Sequence, residues 1–206
     1  MKTKLVVLAL AVLVVSTTGA MALGPVDVEV GAYWWENDLD FAQDSSGAGA
    51  PGFRAELWLA NRWGLRGSYF KSDPDEGDEV DYRSVDLLAR LISPTENSYL
   101  AVGAGWETVD TGAGDTSGVR LAAEGRVGIV GVVYAYGQAA YFPDLDDVAN
   151  AEDLKGKEFE VGLGVNPVPF LHLRGGYRKT EIDYTAGGDD DSFSSDGFYA
   201  GLALKF

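Results

Sequence analysis

Gly197–Phe206, "GFYAGLALKF", is the stretch that decides the fold. Phe198, Ala200, Leu202, Leu204 and Phe206 fall on one side of a two-residue period; Gly197, Tyr199, Gly201, Ala203 and Lys205 fall on the other. Successive side chains of a strand point to opposite faces, so this spacing predicts a β-strand with one apolar face. Chain ends in water usually fray. An apolar face that runs to the last residue is expected where the terminus is tied into a sheet.

The same period recurs along the chain. Alternating segments fall at Val26–Trp35, Gly52–Ala60, Trp63–Phe70, Tyr82–Leu91 and Ser98–Glu107, then at Val119–Gly128, Val132–Phe142, Lys157–Val165, Leu171–Lys179 and Gly197–Phe206. In Gly52–Ala60, for example, Phe53, Ala55, Leu57 and Leu59 oppose Arg54, Glu56 and Trp58. Short strands at even spacing, with no linker and no internal repeat, predict one all-β domain, a barrel or a sandwich.

Connection lengths separate the two. Links after the odd strands are long, as in "KSDPDEGDEVD" (71–81) and "TEIDYTAGGDDDSFSSD" (180–196), whereas links after the even strands are short, as in "NR" (61–62) and "IVG" (129–131). An up-and-down structure with all its large loops at one end has the asymmetry of a membrane-spanning β-barrel. A soluble sandwich has no reason to sort its loops. About ten antiparallel strands are expected, with eight as the alternative and with long acidic loops at one end.

Aromatic placement gives an independent sign. On the Val/Leu/Ala face, the residues nearest the long connections are Trp34, Phe53, Tyr69, Trp106, Tyr141, Phe159, Tyr177 and Phe198; Trp63 and Phe206 mark the opposite end of that face. Two aromatic belts bounding an apolar band are expected where rings meet the headgroup levels of a bilayer. The other face carries Asp27, Glu29, Glu56, Asp86, Glu107, Glu124, Glu158 and Glu160 against Arg54, Arg66, Arg90, Arg120, Arg126, Arg174, Arg178 and Lys205. Balanced charges directed into a confined lumen can pair, whereas unpaired ones would be costly there.

Excess charge lies elsewhere. The net charge is −16, and 23 of the 32 acids fall in or beside the long connections, where only five bases accompany them. Such a crown repels nucleic acid and concentrates cations. At the amino end, Lys2 and Lys4, an apolar Leu5–Val15 run and Ala20-Met21-Ala22 have the form of a cleavable signal peptide, residues 1–22, which leaves a barrel domain at 23–206. The chain has no Cys, and so no disulfide framework, and no later apolar run long enough for a membrane helix.

Together the signal segment, the alternating strands, the aromatic belts and the terminal Phe206 resemble the small outer-membrane β-barrel proteins of Gram-negative bacteria. The resemblance rests on architecture and identifies no subfamily. It implies a monomer in contact with outer-membrane lipid and lipopolysaccharide, with Phe206 and the alternate apolar residues before it acting as the signal to the barrel-assembly machinery. Enzymes of this class use a histidine with carboxylate or serine partners near the outer leaflet or cell surface. The one histidine here, His172, follows a short turn and is expected on the inner face at the opposite end. No enzymatic activity is expected. "GAGAPG" (47–52) fits a dinucleotide template only in spelling, since no strand-then-helix unit surrounds it, and it is expected to be a surface loop. "DPDEGD" (73–78) and "GGDDDSFSSD" (187–196) lack full calcium-loop spacing, so no cofactor is expected beyond loose Ca²⁺ or Mg²⁺ association with the acidic loops. The expected role is structural or surface-interacting, around a lumen filled by Arg/Glu pairs. A narrow cation-preferring, porin-like channel is the alternative.

Overall fold

The structure is a computed structural model and describes residues 26–41, 44–74, 79–95, 97–111, 114–148 and 151–206 of the chain. The expected signal segment, 1–22, lies outside them. Ten strands follow one another: β1 Val26–Phe41, β2 Asp44–Leu59, β3 Trp63–Pro74, β4 Val80–Thr95, β5 Ser98–Thr111, β6 Gly114–Val130, β7 Val133–Phe142, β8 Ala151–Val168, β9 Leu171–Ala186 and β10 Asp189–Lys205. Every strand pairs antiparallel with its sequence neighbours, and β1 also pairs with β10, closing a barrel of ten strands rather than eight. Closure leaves no open sheet edge. The last residue belongs to the seam: Phe206 N donates to Val28 O at 2.8 Å, and Val28 N donates to Phe206 O at 3.1 Å.

Most strands run beyond the expected boundaries, chiefly toward the long connections, and β4, β6 and β8 also run two to four residues into the short turns. β1 continues six residues past Trp35, and β9 and β10 meet at Gly187-Gly188, whose positive φ values of 63° and 95° suit a tight glycine turn. Much of what looked like loop is strand, including the "GAGAPG" stretch, which lies within β2.

The reason is a change of phase. Below the aromatic level, apolar residues point outward and polar ones inward. Above it the sense reverses: on β1, Trp35 and Leu39 are buried inward while Glu36, Asp38 and Asp40 are exposed. Tyr82 against Asp81 and Arg83 on β4, and Ile182 against Asp183 on β9, follow the same inverted pattern. The lower barrel therefore suits an apolar surrounding and the upper barrel water. A search for one apolar face ends each strand where its two faces exchange roles.

β7 is the shortest strand, at ten residues. Above it, Pro143–Val148 occupies the gap between its neighbours. Leu145 forms a bridge to Gly118 of β6, and Leu145 N donates to Leu154 O of β8 at 2.9 Å.

All eight expected belt aromatics lie on the outer face. Trp34, Phe53, Trp106, Tyr141, Phe159 and Phe198 are about half exposed or more, and Tyr69 and Tyr177 are partly covered. Tyr177 packs edge-on against Phe198, with ring centroids 5.5 Å apart. Trp63 and Phe206 are exposed at the lower end of the same face.

Candidate functional site

The lumen is where the chemistry-bearing side chains converge. Strand alternation sends Arg54, Glu56, Arg66, Asp86, Arg90, Glu107, Arg120, Glu124, Arg126, Glu158, Glu160, Arg174 and Arg178 inward, and all but Arg90 are buried. The side chains are long enough to meet across the lumen, and they do so at successive levels.

At mid-height, Arg54 of β2 forms a bidentate pair with Glu160 of β8, Nη1–Oε1 3.1 Å and Nη2–Oε2 2.8 Å. Glu160 also accepts a bond from Tyr199 Oη at 2.7 Å, and the Tyr199 and Tyr136 hydroxyls bond to each other. Arg66 donates to Asp86 at 2.6 and 3.1 Å and pairs with Glu124. Arg120 reaches three carboxylates from three strands: Glu107 at 2.7 Å, Glu158 at 3.1 Å and Asp86 at 3.1 Å. Arg178 adds a second cation to Glu158 at 2.9 Å and stacks on Phe70. Charged groups in low dielectric need several such partners each.

Nearer the short turns the means of satisfying charge changes. Among the described residues, Arg90 and Arg126 have no carboxylate within ion-pair distance. Arg90 lies between the rings of Trp58, 3.9 Å from the centroid, and Tyr99, 4.1 Å, and donates to Asn61 Oδ1 at 2.6 Å. Arg126 stands over Tyr134 at 4.6 Å and Tyr99 at 5.4 Å. Trp58, Arg90, Tyr99, Arg126 and Tyr134 thus form an alternating ring–cation ladder, each step favourable by about 0.5–2 kcal/mol. Beside it, Glu29 pairs with Arg174 and with His172 Nδ1, the latter at 2.7 Å; Arg174 lies 3.9 Å from Glu56. His172 is buried at the lower end of the inner face.

Above the ion pairs the lumen turns apolar. Asn37 donates to Ser72 at 3.1 Å and to Ser195 at 2.6 Å, and over this polar layer Leu39, Val80, Val109, Phe142, Ile182 and Phe193 pack together. This layer was missed in the sequence because all of these residues but Phe142 sit in segments taken for loops. Their signal was the inverted alternation.

Several inner-face glycines are sockets for aromatic rings. A Cβ on Gly164 would collide with the Tyr134 ring, one on Gly201 with Tyr33, and one on Gly52 with Phe70. Small residues on one wall admit large ones from the next. At the lower mouth, a partly open hollow lined by His172, Arg126 and Tyr99 has a volume of about 20 Å³. That is room for about one water. Among the described residues, no group of three His, Cys, Asp or Glu side chains is placed to hold a metal ion.

No family model matches the sequence, and no curated protein matches it. The backbone does have counterparts among solved structures. It superposes on the outer membrane protease OmpT of Escherichia coli with a TM-score of 0.59, at 11% identity, over 89% of this chain and 94% of that one. The fold is that of an outer-membrane β-barrel. Neisserial surface protein A is similar at a TM-score of 0.47 and 12% identity, over 88% and 97% of the two chains. Ail, the attachment invasion locus protein of Yersinia pestis, is similar at 0.36 and 10%, over 87% and 98%. At such identities the shared property is the backbone, and the contents of this barrel have to be judged by its own side chains.

Proposed function

We propose that this barrel resides in the outer membrane as a structural and surface-interacting protein, with a closed lumen and an acidic extracellular crown. The observation that carries the proposal is the lumen itself. Ion pairs cross it at mid-height, a ring–cation ladder lies beneath them and an apolar layer lies above. Barrels of few strands have interiors that side chains can fill, while open aqueous channels belong to those of about sixteen strands or more.

Enzymatic activity finds no support in the side chains. Likeness to a protease is a likeness of backbone, and the chain's one histidine is engaged by Glu29 at the end away from the crown. Ser–His or Asp–His chemistry at the outer surface has no imidazole there. Lipid and lipopolysaccharide around the aromatic belts, and loose Ca²⁺ or Mg²⁺ association with the crown, complete the proposal. Phe206, exposed on the lipid side of the seam, is proposed as the signal to the assembly machinery.

Release of entrapped small solutes from liposomes tests the closed lumen. Vesicles carrying the refolded barrel should retain sugars and amino acids as well as empty vesicles do. Selective release of small cations would favour the narrow channel instead.

A further inference from the structure

Two arginines at the lower mouth are left over by the ion pairs. Arg90 of β4 and Arg126 of β6 stack on the same ring, Tyr99, at 4.1 and 5.4 Å from its centroid. Stacking favours a guanidinium without satisfying it, because its N–H donors lie in its own plane and point away from a ring above or below. Asn61 accepts one bond from Arg90 Nη1. The Nε atoms of both Arg90 and Arg126 are buried and have no acceptor among the described residues. Arg126 as a whole is only 8% exposed. A buried donor left unpaired is costly, and more so on a charged group.

The local charge balance leaves over the same two groups. Glu29 and Glu56 share Arg174, and Lys205 lies 3.5 Å from Asp27. The lower lumen thus sets three carboxylates against four fixed cations, before His172 is counted. No carboxylate from mid-height makes up the difference. There Asp86, Glu107, Glu124, Glu158 and Glu160 are all engaged by Arg54, Arg66, Arg120 and Arg178.

Space for one more group lies beside the two arginines. Both line the partly open hollow of about 20 Å³ at the short-turn end, away from the acidic crown. The carboxylates that also line it are the three already matched to Arg174 and Lys205. Its volume takes one water-sized body. A water there would accept hydrogen bonds and leave the excess charge in place, whereas an anion would answer both needs.

We propose that this hollow is a binding site for one monovalent anion of about chloride size, held by the in-plane donors of Arg126 and Arg90. A guanidinium is weakly hydrated and keeps its charge, so it gives up little water to a halide. Size excludes sulfate and phosphate, and the surplus positive charge excludes a metal cation. The crown repels the same anion, which makes the lower mouth its side of entry. Binding there needs no path through the lumen above.

Two measurements on the full refolded barrel test the site. In the first, chloride replaces sulfate at constant ionic strength while urea unfolding is followed in phosphocholine vesicles. General salt effects make sulfate the more stabilising of the two. An anion bound only by the folded state reverses that order, and above saturation the folding equilibrium constant should rise about tenfold for each tenfold rise in chloride. Arg126→Gln should restore the general order, and Arg90→Gln should weaken the dependence on chloride. Arg62→Gln, which removes an exposed charge from a neighbouring short turn, should leave that dependence unchanged. Sulfate as the more stabilising salt for the wild type, or an equal loss in Arg62→Gln, would overturn the proposal. The second measurement needs no variant to fold: crystals of the wild-type barrel grown in bromide are recorded at the bromine absorption edge. An anomalous peak in the hollow, within hydrogen-bond distance of the Arg126 guanidinium, is expected. A hollow without such a peak would overturn the proposal.

Discussion

Arg54 and Glu160 join opposite walls of the lumen by two parallel hydrogen bonds. β2 and β8 are separated around the wall by β1, β10 and β9, so the pair spans the interior instead of following the sheet. Both side chains are buried, at 5% and 1% relative exposure. Truncating one partner of a buried pair leaves the other as an unpaired charge, at a cost of about 3–5 kcal/mol.

Arg54→Ala should therefore lower the urea-unfolding midpoint of the vesicle-inserted barrel substantially, whereas a lumen filled with water would hydrate Glu160 and leave the midpoint nearly unchanged. Replacing both partners, Arg54→Met with Glu160→Leu, should recover most of the loss, because no uncompensated charge remains.

Glycine substitutions separate inner sockets from the outer face. Gly164→Ala drives a methyl into the Tyr134 ring and should cost about 1–3 kcal/mol, as overpacking does. Gly137→Ala meets only ordinary contacts and should stay within about 0.5 kcal/mol of wild type. Unfolding midpoints of the two variants, measured side by side, check this. Equal effects would mean that Tyr134 does not occupy the space above Gly164.

The barrel's architecture was legible because period-2 alternation, sorted connections and aligned aromatics are one-dimensional signatures of a closed up-and-down sheet. Strand ends were not. Trp34 and Trp35 are adjacent residues on opposite faces, and the exchange of inside for outside at that point mimics the end of a strand. Inner-face membership of the charges follows from parity, but their partners do not. Glu124 shares a strand face with Arg120 and Arg126, yet its bond is to Arg66 of β3. Same-face neighbours on one strand are about 7 Å apart and extend in parallel, so long side chains find partners across the lumen. Arg90 and Arg126 show the same limit from another side. Their charges were visible, and the rings that receive them, Trp58, Tyr99 and Tyr134, could be matched to them only once the register was known.

Phe206→Asp tests the proposed assembly signal. The substitution places a charge near the lower interface of the lipid face, where its thermodynamic cost is about 0–1 kcal/mol. The closing seam, carried by backbone bonds between Phe206 and Val28, has little reason to open. If the side chain is recognised during assembly, the variant should nevertheless accumulate unassembled in the periplasm, seen by fractionation and by loss of the fast-migrating unheated form on detergent gels. Normal outer-membrane levels would remove that role from Phe206.

The closed lumen is tested most directly by planar-bilayer recording of the purified, refolded wild-type protein. If ion pairs across the middle, a ring–cation ladder below and an apolar layer above close the lumen as proposed, the current should stay at the level of the protein-free bilayer across the accessible voltage range. Steady, cation-selective single-channel steps would contradict a closed lumen and make the barrel a channel.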